Sequence, residues 1–151
     1  MVSEATTYLY TLMALGVVGL MITATFQAHA GSLQAVSERQ ELKRILETIA
    51  SEGTELIALA EATGASARVR LHLPRTVGRR LWWARLVSDS TGAWVEGAFG
   101  TPWEGRPEWR VDLPWNVSAS GTYEGGVRAP SLTCSMQGSD IVLTLGSWEA
   151  G

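Results

Sequence analysis

The residues of this chain able to do chemistry are few and scattered. The two histidines, His29 and His72, fall in different segments and give no metal-ligand spacing. A single cysteine, Cys134, rules out an intrachain disulfide and a cysteine-rich zinc site; it reads as a small buried residue in a strand. There is no Gly-x-Ser-x-Gly nucleophile elbow and no Gly-x-x-x-x-Gly-Lys phosphate cradle. Glu104 and Glu108 pair only within a loop rich in Pro and Gly, where solvation is the default. His72 lies on the polar side of a strand beside Arg68 and Arg70, with no triad partner identifiable. The sequence therefore points to no catalytic residue, no metal and no cofactor, and to a protein that is not an enzyme. A net charge of -3 gives no basic footprint for nucleic acid.

What remains is binding chemistry. All seven tryptophans fall after position 80, and two of them, Trp82 and Trp83, are adjacent. Neighbours on a strand point to opposite faces. Trp82 shares its side with Ala84 and Leu86, a fully apolar set suited to the core. Trp83 shares its side with Leu81 and Arg85. It is expected to face away from the core, as an interface with another subunit or a platform for sugar, unless the amphipathic half of the preceding helix covers it. Asn116-Val117-Ser118 matches an N-glycosylation acceptor, with Asn116 modified if this domain lies outside the cell.

The element these residues hang from is N-terminal. From Ala5 to Ser37 there is no formal charge, and the stretch from Tyr8 to Phe26 is apolar on every side of a helix. At about 1.5 Å per residue it covers roughly the 30 Å of a bilayer core. A secretory signal, an inert anchor and a helix that packs against copies of itself all satisfy that hydropathy. The signal peptide fits least, since only Glu4 precedes the apolar run and no basic residue does. After Phe26 the pattern becomes amphipathic. Leu42, Ile45, Leu46, Ile49, Leu56, Leu59 and Ala60 recur at spacings of three and four.

The expected fold class is α+β. One helix over 1–62, with an apolar half over about 5–30 and an amphipathic half over about 31–62, stops near Gly64. A sandwich-like β domain follows over 65–151. Its strands are expected at Arg68–Leu73, Leu81–Val87, Trp94–Phe99, Trp109–Leu113, Val117–Tyr123, Leu132–Gln137 and Ile141–Leu145, each bounded by Gly, Pro or Asp turn signals.

This arrangement resembles the archaeal type IV pilin-like superfamily. Ser3 to Leu12 is similar to the N-terminus of its accessory members. Leu73-Pro74-Arg75-Thr76-Val77-Gly78 resembles a step between two strands of their globular part. The resemblance implies a structural subunit of an extracellular filament, held in the membrane first and then polymerised with copies of itself or related pilins. It implies an assembly surface of Glu4, Tyr8, Leu12, Leu15, Val18, Ile22 and Phe26, with Glu4 neutralising a neighbour's terminal amine. The plainer role for Glu4 is a carboxylate favoured by the helix dipole. A surface glycan or cell-envelope component is the implied target. Members of the superfamily carry a short basic leader cut after a small residue, and none precedes the apolar run here. That implies a processed form, or a membrane-anchored accessory protein that never polymerises, as in the archaellum. Arg39, Lys43 and Arg44 follow the apolar run, against the positive-inside expectation for an exported C-terminal domain.

Overall fold

The chain is α+β: a computed structural model describes residues 2–103, 106–114, 117–126 and 128–149. Helix α1 (Val2–Thr63) is followed by β1 (Ala67–Arg70), β2 (Trp82–Asp89), β3 (Gly92–Phe99), β4 (Trp109–Asp112), β5 (Val117–Ser120), β6 (Thr122–Glu124), β7 (Pro130–Gln137) and β8 (Asp140–Ser147). Gly64 ends the helix in the left-handed region, at a φ of 66°, and donates its N–H to Ala60 at 2.8 Å. The chain divides into two compact units, Met1–Ser37 and Glu38–Gly151. That division falls inside the helix rather than at its end, so the amphipathic half folds with the strands.

Within the second unit the strands form two four-stranded sheets, ordered β1-β7-β8-β5 and β4-β3-β2-β6. All pairs are antiparallel except β5 with β8. The β2–β3 hairpin closes as its sequence expects. Asp89 Oδ1 accepts from the Thr91 N–H at 2.7 Å, the Thr91 hydroxyl at 2.6 Å and the Gly92 N–H at 3.2 Å. The Thr91 hydroxyl, then its N–H, holds the Asp89 carboxyl below the usual aspartate range.

One core joins three surfaces. Leu42, Ile45, Leu46, Ile49, Leu56, Ile57 and Ala60 of α1 are buried together with Ala84, Leu86 and Val95 of one sheet and Leu132, Cys134 and Leu143 of the other. Each fully buried Leu or Ile contributes about 1.5–3 kcal/mol. Leu59, expected on this stripe, is half-exposed instead, and Ile57 is buried in its place. The reason is helical phase: Gly53, Ile57 and Ala60 continue the spacing of four and three. The approach of helix to sheet is close enough that a Cβ on Gly97 of β3 would meet Leu46 Cδ2 at 2.9 Å. The same Cβ would stand 2.5 Å from the Trp83 carbonyl, so a side chain there must shift the β2 backbone as well as Leu46.

Two strands differ from expectation. β1 stops at Arg70, three residues early. Leu71 keeps one ladder bond, to Pro130 O at 2.9 Å, and the chain then crosses to the other sheet through Leu73–Gly78. That crossing is held from above and below: Trp82 Nε1 donates to Pro74 O at 3.0 Å, and Val77 and Arg80 exchange two backbone bonds of 3.0 Å. The single strand expected over 117–123 is two strands in different sheets. It breaks at Gly121, whose φ of 107° favours glycine and whose Cβ would collide with the Leu145 carbonyl.

Trp82 and Trp83 do point to opposite faces, but Trp83 is not outward-facing in the sense expected. Both indoles are 0 % exposed. Trp82 packs in the central core against Tyr123, ring centroids 5.4 Å apart, and Trp83 is buried on the far face of the same sheet. That face carries its own cover. Arg85 lies 5.5 Å from the Trp83 centroid and Arg110 lies 3.8 Å from that of Trp94. Between them Glu96 accepts from Arg85 Nε at 2.9 Å, from Arg85 Nη2, and from Trp94 Nε1 at 3.0 Å. The correction has a plain cause: long cationic side chains two residues away shield an indole as well as an apolar layer does. Trp83 therefore offers no exposed anchor.

Both Trp82→Ala and Trp83→Ala are expected to destabilise unit 38–151 by about 3–5 kcal/mol. The two differ in their phenylalanine variants. Trp83 Nε1 is buried without an acceptor among the described residues, so Trp83→Phe removes an unmet donor and should cost less than about 1 kcal/mol. Trp82→Phe also loses the bond to Pro74 and should cost more. Thermal and urea melts of the four variants check the ranking; equal losses for the two phenylalanines would contradict it.

Candidate assembly surface

Residues 2–37 of α1 are helical with Ala, the strongest helix former, as their commonest residue and with no proline to interrupt them. Every residue from Val2 to Ser37 is exposed. The positions implied as an assembly surface, Tyr8, Leu12, Leu15, Val18, Ile22 and Phe26, are each more than half exposed. They lie along one face at spacings of three and four, but Leu9, Met13, Val17, Leu20 and Met21 are exposed around them, so the apolar surface is not confined to that stripe. An 18-residue window of this helix has a mean hydropathy of 1.9, long and apolar enough to cross a bilayer.

The threonine hydroxyls of this segment are bonded within the helix, as those of Thr48, Thr54 and Thr63 are in its other half. Thr6, Thr7, Thr11, Thr23 and Thr25 each donate a hydroxyl to the carbonyl four residues earlier, at 2.8–2.9 Å. These hydroxyls need no water, and an unmet one away from water costs about 1–3 kcal/mol. Gly16 and Gly19, three residues apart on one face, leave open space where a Cβ would stand. Glu4 lies in the first turn and is exposed, where the unpaired N–H groups of the helix end favour a negative charge.

The remaining candidates are not gathered here. Trp83 is buried in the other unit. Asn116 and Glu104 lie outside the described residues, and Glu108 is exposed before β4. His29 and His72 are exposed. Cys134 is buried in β7, and desolvation pushes its thiol up, so it is a poor nucleophile. The exposed aromatic that sequence reasoning missed is Trp103, 88 % exposed between β3 and β4. Its signal was present: Gly100-Thr101-Pro102 precedes it, and a residue among turn formers lies on a surface loop.

Comparison of the chain with protein-family models, with curated proteins and with solved structures gave no match.

Val18→Arg places one charge in the middle of the apolar segment. It is expected to weaken membrane insertion by about 2.5–3.5 kcal/mol. The melting temperature of the sheet-bearing unit should stay unchanged, since Val18 lies outside it. Carbonate extraction of membranes, paired with circular dichroism, reads both effects.

Proposed function

We propose that this chain is a structural subunit of an extracellular type IV-like filament, of the kind found in the archaeal pilin-like superfamily. It works by assembly rather than catalysis. Before assembly the apolar helix lies in the membrane; in the filament, copies of that helix bundle and the β domains form the outer wall. The observation that carries the proposal is the contrast between the two units. Residues 38–151 bury a complete core of their own, whereas residues 2–37 expose apolar side chains in every direction. A surface of that extent requires lipid or other helices.

Glu4 is the one charged residue before Glu38. In a bundle it is positioned to meet the terminal amine of a neighbouring copy. The resemblances in Ser3–Leu12 and Leu73–Gly78 support the same reading. A membrane-anchored relative that never polymerises is the second reading. It needs the same bilayer-spanning apolar segment and no contact between copies.

Deleting residues 1–37 is expected to release a soluble monomer that still unfolds cooperatively, and to abolish filaments seen by electron microscopy of the full chain. Glu4→Gln should leave the β domain folded and impair assembly, because breaking a buried pair costs about 3–5 kcal/mol per site. Filaments formed by the shortened chain would exclude helix-driven assembly. A full chain that stays monomeric in lipid at every concentration would favour the anchor.

A further inference from the structure

Charge is segregated along this acidic chain. Between Glu61 and Asp89 there is no acidic residue, while Arg68, Arg70, Arg75, Arg79, Arg80 and Arg85 all fall there, in a protein of net charge -3. Some of these guanidiniums are spoken for. Arg85 bonds Glu96, Arg80 lies over Phe99 at 4.1 Å, and Arg68 lies over Trp148 at 4.5 Å and bonds Ser131 and the Ser147 carbonyl. Arg70 and Arg75 form no ion pair among the described residues.

The fold brings these two unpaired cations to one concavity. β1 is the edge strand of its sheet, and the chain leaves it at Arg70 to cross toward β2. The crossing segment and the start of β7 enclose a cleft of about 180 Å³, lined by Arg70, His72, Arg75 and Arg128, with Leu73 and Pro130 as apolar wall. Arg128 is held in place twice: its guanidinium pairs with Glu149 at 2.8 Å, and its carbonyl accepts the Tyr123 hydroxyl at 2.6 Å. The positive charge of Arg75 reaches the same phenol, where it opposes the rise that burial imposes. Two unpaired guanidiniums, a third paired with Glu149, and an imidazole thus border the cleft, and no carboxylate among the described residues lines it.

We propose that this cleft is a binding site for a compact oxyanion, a phosphate or carboxylate group carried by a small molecule such as an acidic sugar. Guanidinium forks match the two oxygens of such a group, and charge-assisted bonds to it are stronger than neutral ones. A volume of about 180 Å³ equals roughly six waters at about 30 Å³ each, room for one charged group and its carrier ring. The site lies wholly within residues 38–151 and goes beyond the assembly role.

The test is calorimetric titration of the full chain, in nonionic detergent, with inorganic phosphate, glucuronate and short-chain phosphatidylglycerol micelles as separate probes. Saturable binding of phosphate or glucuronate is expected, weakened at least about tenfold by Arg70→Ala with Arg75→Ala. Both side chains are exposed, and the Arg70→Gln, Arg75→Gln pair provides a second variant should the first misfold. Arg44→Ala, on the helix away from the cleft, should bind as the parent does. Equal affinity in the parent and the double variants would overturn the proposal. So would an equal loss in Arg44→Ala, which would mean diffuse charge attraction. Binding of the lipid micelles alone would replace the cleft with a membrane-surface contact.

Discussion

The burial of apolar surface, met in two incompatible ways along one helix, is the constraint on which the rest of this protein depends. A helix stripe with apolar residues at spacings of three and four needs one partner surface, and Leu42 to Ala60 find it in two sheets. A helix apolar on all sides has no such partner in a domain of this size. It must be surrounded. The change from one demand to the other occurs between Phe26 and Leu42, without a break in backbone hydrogen bonding. Compactness therefore divides the chain at Ser37 rather than at the end of the helix.

The β domain shows the same physics at smaller scale. Its central core takes Trp82, while the far face of the same sheet buries Trp83 and Trp94 beneath Arg85 and Arg110. Glu96 ties that layer together by accepting from both an arginine and an indole. The protein thus shields a second aromatic layer with charged side chains instead of another element. Such a layer stays wettable, because the guanidiniums over the indoles keep their polar heads toward water.

Much of this was legible in the sequence because periodicity states directly which face is covered. The helix, its apolar and amphipathic halves, its stop at Gly64 and most strands followed from spacing and turn residues. Periodicity does not carry the identity of the cover, and Trp83 was misread for that reason: alternation placed it on the correct face beside Arg85, but it does not say that the guanidinium folds over the indole. Gly121 was missed for a related cause. Val117, Ala119 and Tyr123 keep strict alternation through it, so nothing in the pattern marks the point where the chain changes sheets. The Arg70–Arg75–Arg128 cleft joins residues more than fifty positions apart, which no local pattern connects.

The central claim, that the apolar helix is covered by copies of itself, is open to a direct chemical measurement. The native Cys134 is buried with its thiol pushed up, so it leaves the chain nearly silent to thiol reagents. Val18→Cys and, separately, Glu47→Cys on the exposed side of the helix can be oxidised to disulfides with membrane-permeant copper phenanthroline in the cell envelope. The account predicts that the Val18 variant cross-links into dimers of the chain, while aqueous maleimide labels it far more slowly than the Glu47 variant. A Val18 variant that stays monomeric and labels as fast as the Glu47 variant would contradict it.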